Sequence, residues 1–137
     1  MIKVLIVDDH RFVRVGLAAI LGSAGDLVVV GECEDGADVP DAIADVQPDV
    51  VLMDVQMPRT NGPEATRILL AQQPSVRVLM LTGAADPAVV KDSAAAGAVG
   101  FLVKGGAPQD LIAAVRTVAA GGTVWPATVG SAVESCA

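Results

Sequence analysis

Five polar residues close four short apolar runs in this 137-residue chain: Asp8 and Asp9 after KVLIV, Asp54 after DVVLM, Thr82 after VRVLML, and Lys104 after VGFLV. Three carboxylates, a hydroxyl and an ammonium are the groups a phosphoryl-transfer site uses, because that reaction asks mainly for positioning and for neutralised equatorial oxygens. Singly, each has a plainer use, since acidic residues after strands commonly start loops or cap helices. As a set they are harder to explain that way. Three carboxylates on one rim repel by about 4 kcal/mol per pair at about 4 Å and an effective dielectric of about 20, so a cation must stand among them. A hard divalent ion answers that need, and Mg²⁺ fits because it keeps several waters and takes few carboxylates beside a phosphate oxygen. With Mg²⁺ and Lys104 the three negative charges sum to zero, and the site can receive an arriving phosphoryl group. Asp54 is the expected nucleophile, because it ends the central run and can be flanked by both the acidic pair and Lys104. His10 reads as a solvated residue in the first turn of a helix.

The elements that must position these groups are legible in the alternation of the chain. Five β-branched apolar runs, at 3 to 7, 27 to 33, 49 to 54, 76 to 82 and 99 to 104, each precede a helical segment. That is the pattern of a parallel sheet covered on both faces. Val13, Leu17, Ile20, Leu21 and Ala24 share one helical face, with Gly25 as the expected stop. Pro40, Pro63, Pro87 and Pro108 stand at helix starts, where a missing N–H costs nothing. Pro48, Pro74, Gly97 and the Gly121–Gly122 pair stand at helix ends. Right-handed crossovers then leave few topologies, and the spacing predicts an α/β fold, a flavodoxin-like (βα)5 doubly wound parallel sheet in the order 2-1-3-4-5. In such sheets ligands bind beyond the carboxyl ends of the strands where the order reverses, and that is the rim to which the five polar residues are delivered. The second strand lies outside that switch point and delivers no polar side chain as near its end. Residues 1 to 121 read as one domain and 122 to 137, which lose periodicity, as a linker or tail. Trp125 is expected to cover an edge of the domain.

Composition closes several other routes. The chain is 53% hydrophobic, enough for a real core, yet no apolar run reaches the roughly 18 residues of a membrane span, and the N-terminus lacks a signal-peptide cleavage pattern. The expected location is the cytoplasm, with no membrane partner. A net charge of -7 argues against gripping a nucleic-acid backbone directly. No tyrosine, two phenylalanines and one tryptophan provide no platform for stacking bases. Cys33 and Cys136 sit in no metal or disulfide pattern and read as free thiols.

Asp8–Asp9 after the first strand, DVQMPRTNG from Asp54 to Gly62, Thr82 before the small Gly83 and Ala84, and GFLVK ending at Lys104 together resemble the receiver domain of two-component response regulators. The resemblance covers about residues 2 to 121. It implies that Asp54 is phosphorylated by a sensor histidine kinase, that Asp9, Asp54 and the Gln56 carbonyl bind Mg²⁺ directly, and that Asp8 acts largely through a bound water. Lys104 and Thr82 would assist the transfer. Thr82 and Phe101 would form the switch pair, the hydroxyl turning toward the phosphoryl oxygen while the ring moves inward. Gln56 and Ala84 would occupy the positions that tune autodephosphorylation. Ala84 has no group to orient a water, so loss of phosphate should be slow. The chain would thus be a phosphoacceptor that catalyses its own phosphorylation and dephosphorylation, not an enzyme acting on other molecules.

The ending AAVRTVAAGGTVWP is similar to NarL/FixJ-type regulators, which implies homodimerisation on activation, with helices 1 and 5 as one plausible surface. It also implies DNA contact only through a C-terminal helix-turn-helix domain, which does not follow here before Ala137. The sequence does not choose between a receiver cut from a longer regulator and a regulator of one domain. Gly105 follows Lys104 where many receivers carry a cis proline, and implies a more mobile loop there. Two competing readings carry the same residues. A phosphatase of the haloacid dehalogenase type would need its nucleophile on the first strand in a DxD pattern, whereas here the isolated aspartate is on the third. A phosphorylation-independent interaction module would have no need of the intact acidic set.

Overall fold

The computed structural model describes residues 1 to 84 and 86 to 126. Five strands, β1 (Ile2–Val7), β2 (Leu27–Cys33), β3 (Val50–Asp54), β4 (Arg77–Thr82) and β5 (Gly100–Val103), alternate with five helices. These are α1 (Arg11–Gly22), α2 (Val39–Val46), α3 (Gly62–Gln72), α4 (Pro87–Ala96) and α5 (Pro108–Ala119). All strand pairings are parallel, in the order β2-β1-β3-β4-β5, so the doubly wound flavodoxin-like sheet expected from the alternation is the fold.

Side chains on a strand point alternately to its two faces, and the apolar runs feed two separate cores accordingly. Leu5, Val7, Val51, Met53, Val78 and Met80 pack with Ile43, Leu69 and Val90 under α2, α3 and α4. Val4, Ile6, Val50, Leu52, Leu79 and Leu81 pack with Leu21, Leu111, Val115 and Val118 under α1 and α5. β3 is buried along its whole length and β1 at its last four positions, which explains why these runs are continuously apolar. The edge strand β2 is only half-buried.

The helix boundaries follow their local chemistry. Pro40, Pro63, Pro87 and Pro108 all fall at the first or second helical position. Asn61 and Asp86 cap α3 and α4, their side chains accepting from the N–H groups of Glu64 and Ala88. Helix α1 ends before Gly25. Its last residue is Gly22, and Ser23 closes it by donating its N–H to the Ala19 and Ile20 carbonyls and its hydroxyl to Ile20 at 2.7 Å. Gln47 closes α2 in the left-handed region, at φ 46°.

Residues 122 to 126, read from sequence as the start of a linker, lie against the sheet. The Phe101 N–H donates to the Val124 carbonyl at 2.7 Å, and the Val124 N–H donates to the Val99 carbonyl at 3.1 Å. Val124 thus makes a parallel bridge to Gly100 on the outer edge of β5, and Trp125 packs on the core beneath α4. The loss of periodicity after Gly122 marks the end of helix, and a single bridged residue has no period to display. Residues 127 to 137, including Cys136, lie outside the described residues. Cys33 is buried and unpaired, with its thiol pushed up to about 11, by burial first and then by the Asp38 charge. That value makes it unreactive.

Gly97 terminates α4 at φ 107°, and a Cβ there would stand 2.5 Å from Leu70 Cδ1. Backbone strain and a side-chain clash then add. Gly97→Ala should lower the unfolding free energy by about 1 to 3 kcal/mol, read as a lower midpoint in urea at unchanged slope.

Candidate functional site

The carboxyl ends of β1, β3, β4 and β5 surround an open hollow of about 470 Å³ lined by Asp9, Asp54, Gln56, Thr82 and Lys104, with His10 at its rim. Each arrives as the residue at, or just after, the end of a buried strand. The sheet therefore sets where each chain segment enters the hollow, while Asp9 and Gln56 stand on the loops that follow β1 and β3. Asp8 lies beneath the hollow and is 1% exposed, while Asp54 is 5% exposed at its floor.

Lys104 joins the buried acids. Its Nζ is 2.7 Å from Asp8 Oδ2 and 3.2 Å from Asp54 Oδ1. Burial would push the lysine down, but the hydrogen bond and charge of Asp8 and the charge of Asp54 more than offset it, so it sits above its ordinary value and stays charged. Asp54 is shifted upward as well. Burial first, and then the Asp8 charge with a smaller contribution from Asp9, hold its carboxyl above the ordinary range, because Lys104 offsets only part of them. One ammonium is thus too little positive charge for the site.

The donor set fits a hard divalent cation. Oxygens of Asp8, Asp9 and Asp54 and a His10 ring nitrogen all lie within 4.8 Å of one another. Asp8 Oδ1 accepts from the His10 N–H at 2.8 Å. Asp8 Oδ2 is buried and meets the Lys104 ammonium at 2.7 Å, so this one cation is shared between two buried carboxylates. Three carboxylates around one ammonium leave negative charge that a divalent cation would neutralise. The acidic cluster could therefore bind a metal ion. His10 is exposed, as expected, but also lies 3.0 Å from Asp9 through Nδ1. An imidazole nitrogen is a poor ligand for a hard ion such as Mg²⁺.

The remaining expected residues are more scattered. Thr82 is half-buried beside the hollow, and its hydroxyl oxygen accepts from the Ala84 N–H at 3.4 Å. Ala84 is exposed. Phe101 is not in the hollow: its ring is 1% exposed within the core under α4. Phenylalanine has no polar atom to keep it at the surface, which makes that burial inexpensive. Gly105 takes φ 85°, a value that favours glycine.

Two buried residues with ties to the site were not singled out from sequence. Arg14 carries no motif in the sequence, yet it is 8% exposed. Asp35, 1% exposed, follows β2 by two residues and so looked too far from the rim.

A family model described as the response regulator receiver domain matches residues 4–116. The transcriptional regulatory protein LnrK of Bacillus subtilis is 40% identical over 126 residues, 92% of this chain and 57% of LnrK. The response regulator GacA of Pseudomonas aeruginosa is 42% identical over 121 residues, 88% of this chain and 56% of GacA. The chain thus spans a little over half the length of these curated relatives. The crystal structure of a LuxR-family two-component response regulator from Aurantimonas superposes with a TM-score of 0.89 at 27% identity, covering 97% of this chain and 95% of that one. The matched region takes in β1 from Val4, the other four strands and every acidic residue of the hollow, and the chain belongs to the response regulator receiver domain family.

Proposed function

We propose that this chain is a phosphorylation-activated switch of a two-component system, with Asp54 as the residue that takes the phosphoryl group. A carboxylate oxygen of Asp54 attacks phosphorus, the O–P bond forms as the P–N bond to a kinase phosphohistidine breaks, and the imidazole leaves with a proton. The observation that carries this reading is the charge arrangement: Asp8 and Asp54 share the single ammonium of Lys104, at 2.7 and 3.2 Å, with Asp9 beside them. Asp8, Asp9 and Asp54, with the Gln56 carbonyl, would hold Mg²⁺, Asp8 acting largely through a water. When bound, the ion supplies positive charge to the equatorial oxygens of the phosphoryl group. Lys104 keeps its charge and meets another of those oxygens, and the Thr82 hydroxyl donates to a third. Because the Phe101 ring is already buried, the Thr82–Phe101 switch needs a turn of the hydroxyl and a shift of β5 rather than an inward swing of the ring. The chain is a phosphoacceptor that loses its phosphate by its own slow hydrolysis, with Gln56 and Ala84 beside the water's path and Ala84 unable to orient it.

The kinase needs a landing place next to Asp54. Between α1 and the start of α5 runs an apolar cleft of about 460 Å³ lined by Phe12, Gly16, Leu17, Leu102, Val103 and Pro108, reaching Lys104 itself. Phe12 is 93% exposed and Val103 44%. Exposed apolar side chains contiguous with a reactive site favour a protein partner. We assign this cleft to the sensor histidine kinase, and α1 and α5 to the homodimer that forms on activation. Net charge -7 keeps this chain off DNA directly, so any DNA contact would be made through a C-terminal helix-turn-helix domain and not by these residues. Among the described residues no helix is long and apolar enough to cross a membrane, and the cytoplasm is the proposed location. No observation favours a phosphorylation-independent module.

With acetyl phosphate and Mg²⁺, intact-mass measurement should show one phosphate added to the wild type and none to Asp54→Asn. Its release should take minutes or longer, and a half-life of a few seconds would contradict the assignment of Ala84. Because the Asp54 carboxyl is raised, protons compete with the cation as pH falls toward that raised value. Calorimetric Mg²⁺ affinity should therefore weaken as pH is lowered from neutral toward that raised value, and more steeply in the wild type than in Asp54→Asn. Phe12→Ala should slow transfer from a phosphohistidine donor about tenfold. Its labelling by acetyl phosphate should be unchanged, and an equal loss with both donors would argue against the cleft.

A further inference from the structure

Strand β2 sends no side chain into the hollow, yet its carboxyl end is tied to both loops that carry the acidic and carbonyl ligands. The first tie runs through Arg14. Its Nη1 donates to the Asp8 carbonyl oxygen at 2.7 Å, and its Nε donates to Glu32 Oε1, on β2, at 3.2 Å. Glu34 lies 3.9 Å from Nη2. An arginine fork fixed to a strand at one end and to a loop carbonyl at the other sets where the peptide between Asp8 and Asp9 stands.

The second tie runs through Asp35. Its Oδ1 accepts from the N–H groups of Ala37 and Thr60, both at 2.9 Å, and its Oδ2 from that of Arg59 at 2.8 Å. Arg59 also pairs with Asp38 at 2.8 Å. Gly36 lets this junction close, since a Cβ there would stand 2.6 Å from Ala65 Cβ and 2.8 Å from the Thr60 carbonyl oxygen. At its far end the same loop is shut by the Gly62 N–H donating to the Val55 carbonyl at 2.8 Å. Gln56 thus sits in a segment pinned on both sides. Burial pushes the Asp35 carboxyl up, but three backbone N–H groups and the Arg59 charge more than offset it, so it stays ionised.

Neither side chain lines the hollow, and each spends a buried charge on a backbone group of a ligand-bearing loop. Loops that gather mutually repelling carboxylates would spread apart unless held. We propose that Arg14 and Asp35 are positioning residues that preorganise the divalent-cation ligands, Arg14 acting on Asp8 and Asp9 and Asp35 on the segment carrying Gln56. This rests on reading the hollow as the cation and phosphoryl site. Partners of this outer kind change metal affinity by about 10- to 100-fold in other sites.

The test uses the whole chain, well below its melting temperature, with Mg²⁺ as the probe. Calorimetric titration with MgCl₂ should give a Kd raised about tenfold in Arg14→Gln and in Asp35→Ala. Arg14→Lys keeps the charge without the fork, and Asp35→Asn keeps one acceptor for two of the three donors; both should fold and give intermediate values. Phosphorylation by acetyl phosphate should need more Mg²⁺ for half-saturation in every variant. At saturating Mg²⁺ its maximal rate should return to within about twofold of the wild type. A purely structural role would lower the melting temperature and leave the Kd of the folded protein within about twofold of the wild type, and that result would overturn the proposal. Wild-type protein that bound no Mg²⁺ would instead remove the reading of the hollow on which it depends.

Discussion

Like charges confined at the mouth of a parallel sheet set the terms for this protein. Asp8, Asp9 and Asp54 are brought together because β1 and β3, which deliver them, are adjacent and buried. Lys104 answers part of the resulting repulsion from across β4. The two shifted ionisations, a lysine pushed up and an aspartate also pushed up, express the same imbalance from opposite sides. A site in this condition favours the arrival of positive charge. When that charge is a divalent cation, it can then tolerate an incoming anion that the acids alone would repel. Stability is given up locally and recovered only by the ligands that perform the function.

The sheet can impose this because its strands are buried between two apolar cores. Val4 and Ile6 face one layer of helices while Leu5 and Val7 face the other, so β1 cannot slip by one residue without exchanging two packed cores. Register in the interior is therefore transmitted to the rim. The site inherits its precision from apolar side chains that never touch it.

That dependence also explains what could be read from sequence. Strand order, helix starts at the four prolines and the rim set of Asp8, Asp9, Asp54, Thr82 and Lys104 follow from periodicity and from one rule about where parallel sheets bind ligands. These signals are local or repeat along the chain. Arg14 and Asp35 escaped because what defines them is a backbone group elsewhere: the Asp8 carbonyl for one, and the N–H groups of Arg59 and Thr60, 24 and 25 residues away, for the other. A residue that bonds to main chain leaves no complementary side chain to find. An acidic residue directly before glycine after a strand was the one available hint for Asp35. The placement of Val124 was hidden for a related reason, since a single bridged residue has no alternation. Phe101 showed an apolar strand residue but not which side of the wall its ring occupied.

The position of Val124 has a consequence for how this fold meets other chains. By occupying the Phe101 N–H and the Val99 carbonyl, it uses up backbone groups on the outer margin of β5 that a foreign strand would need for docking. Strand addition is discouraged at that margin. Recognition is left to helix surfaces and loops, whose side chains can differ between otherwise similar sheets and so keep parallel signalling routes apart.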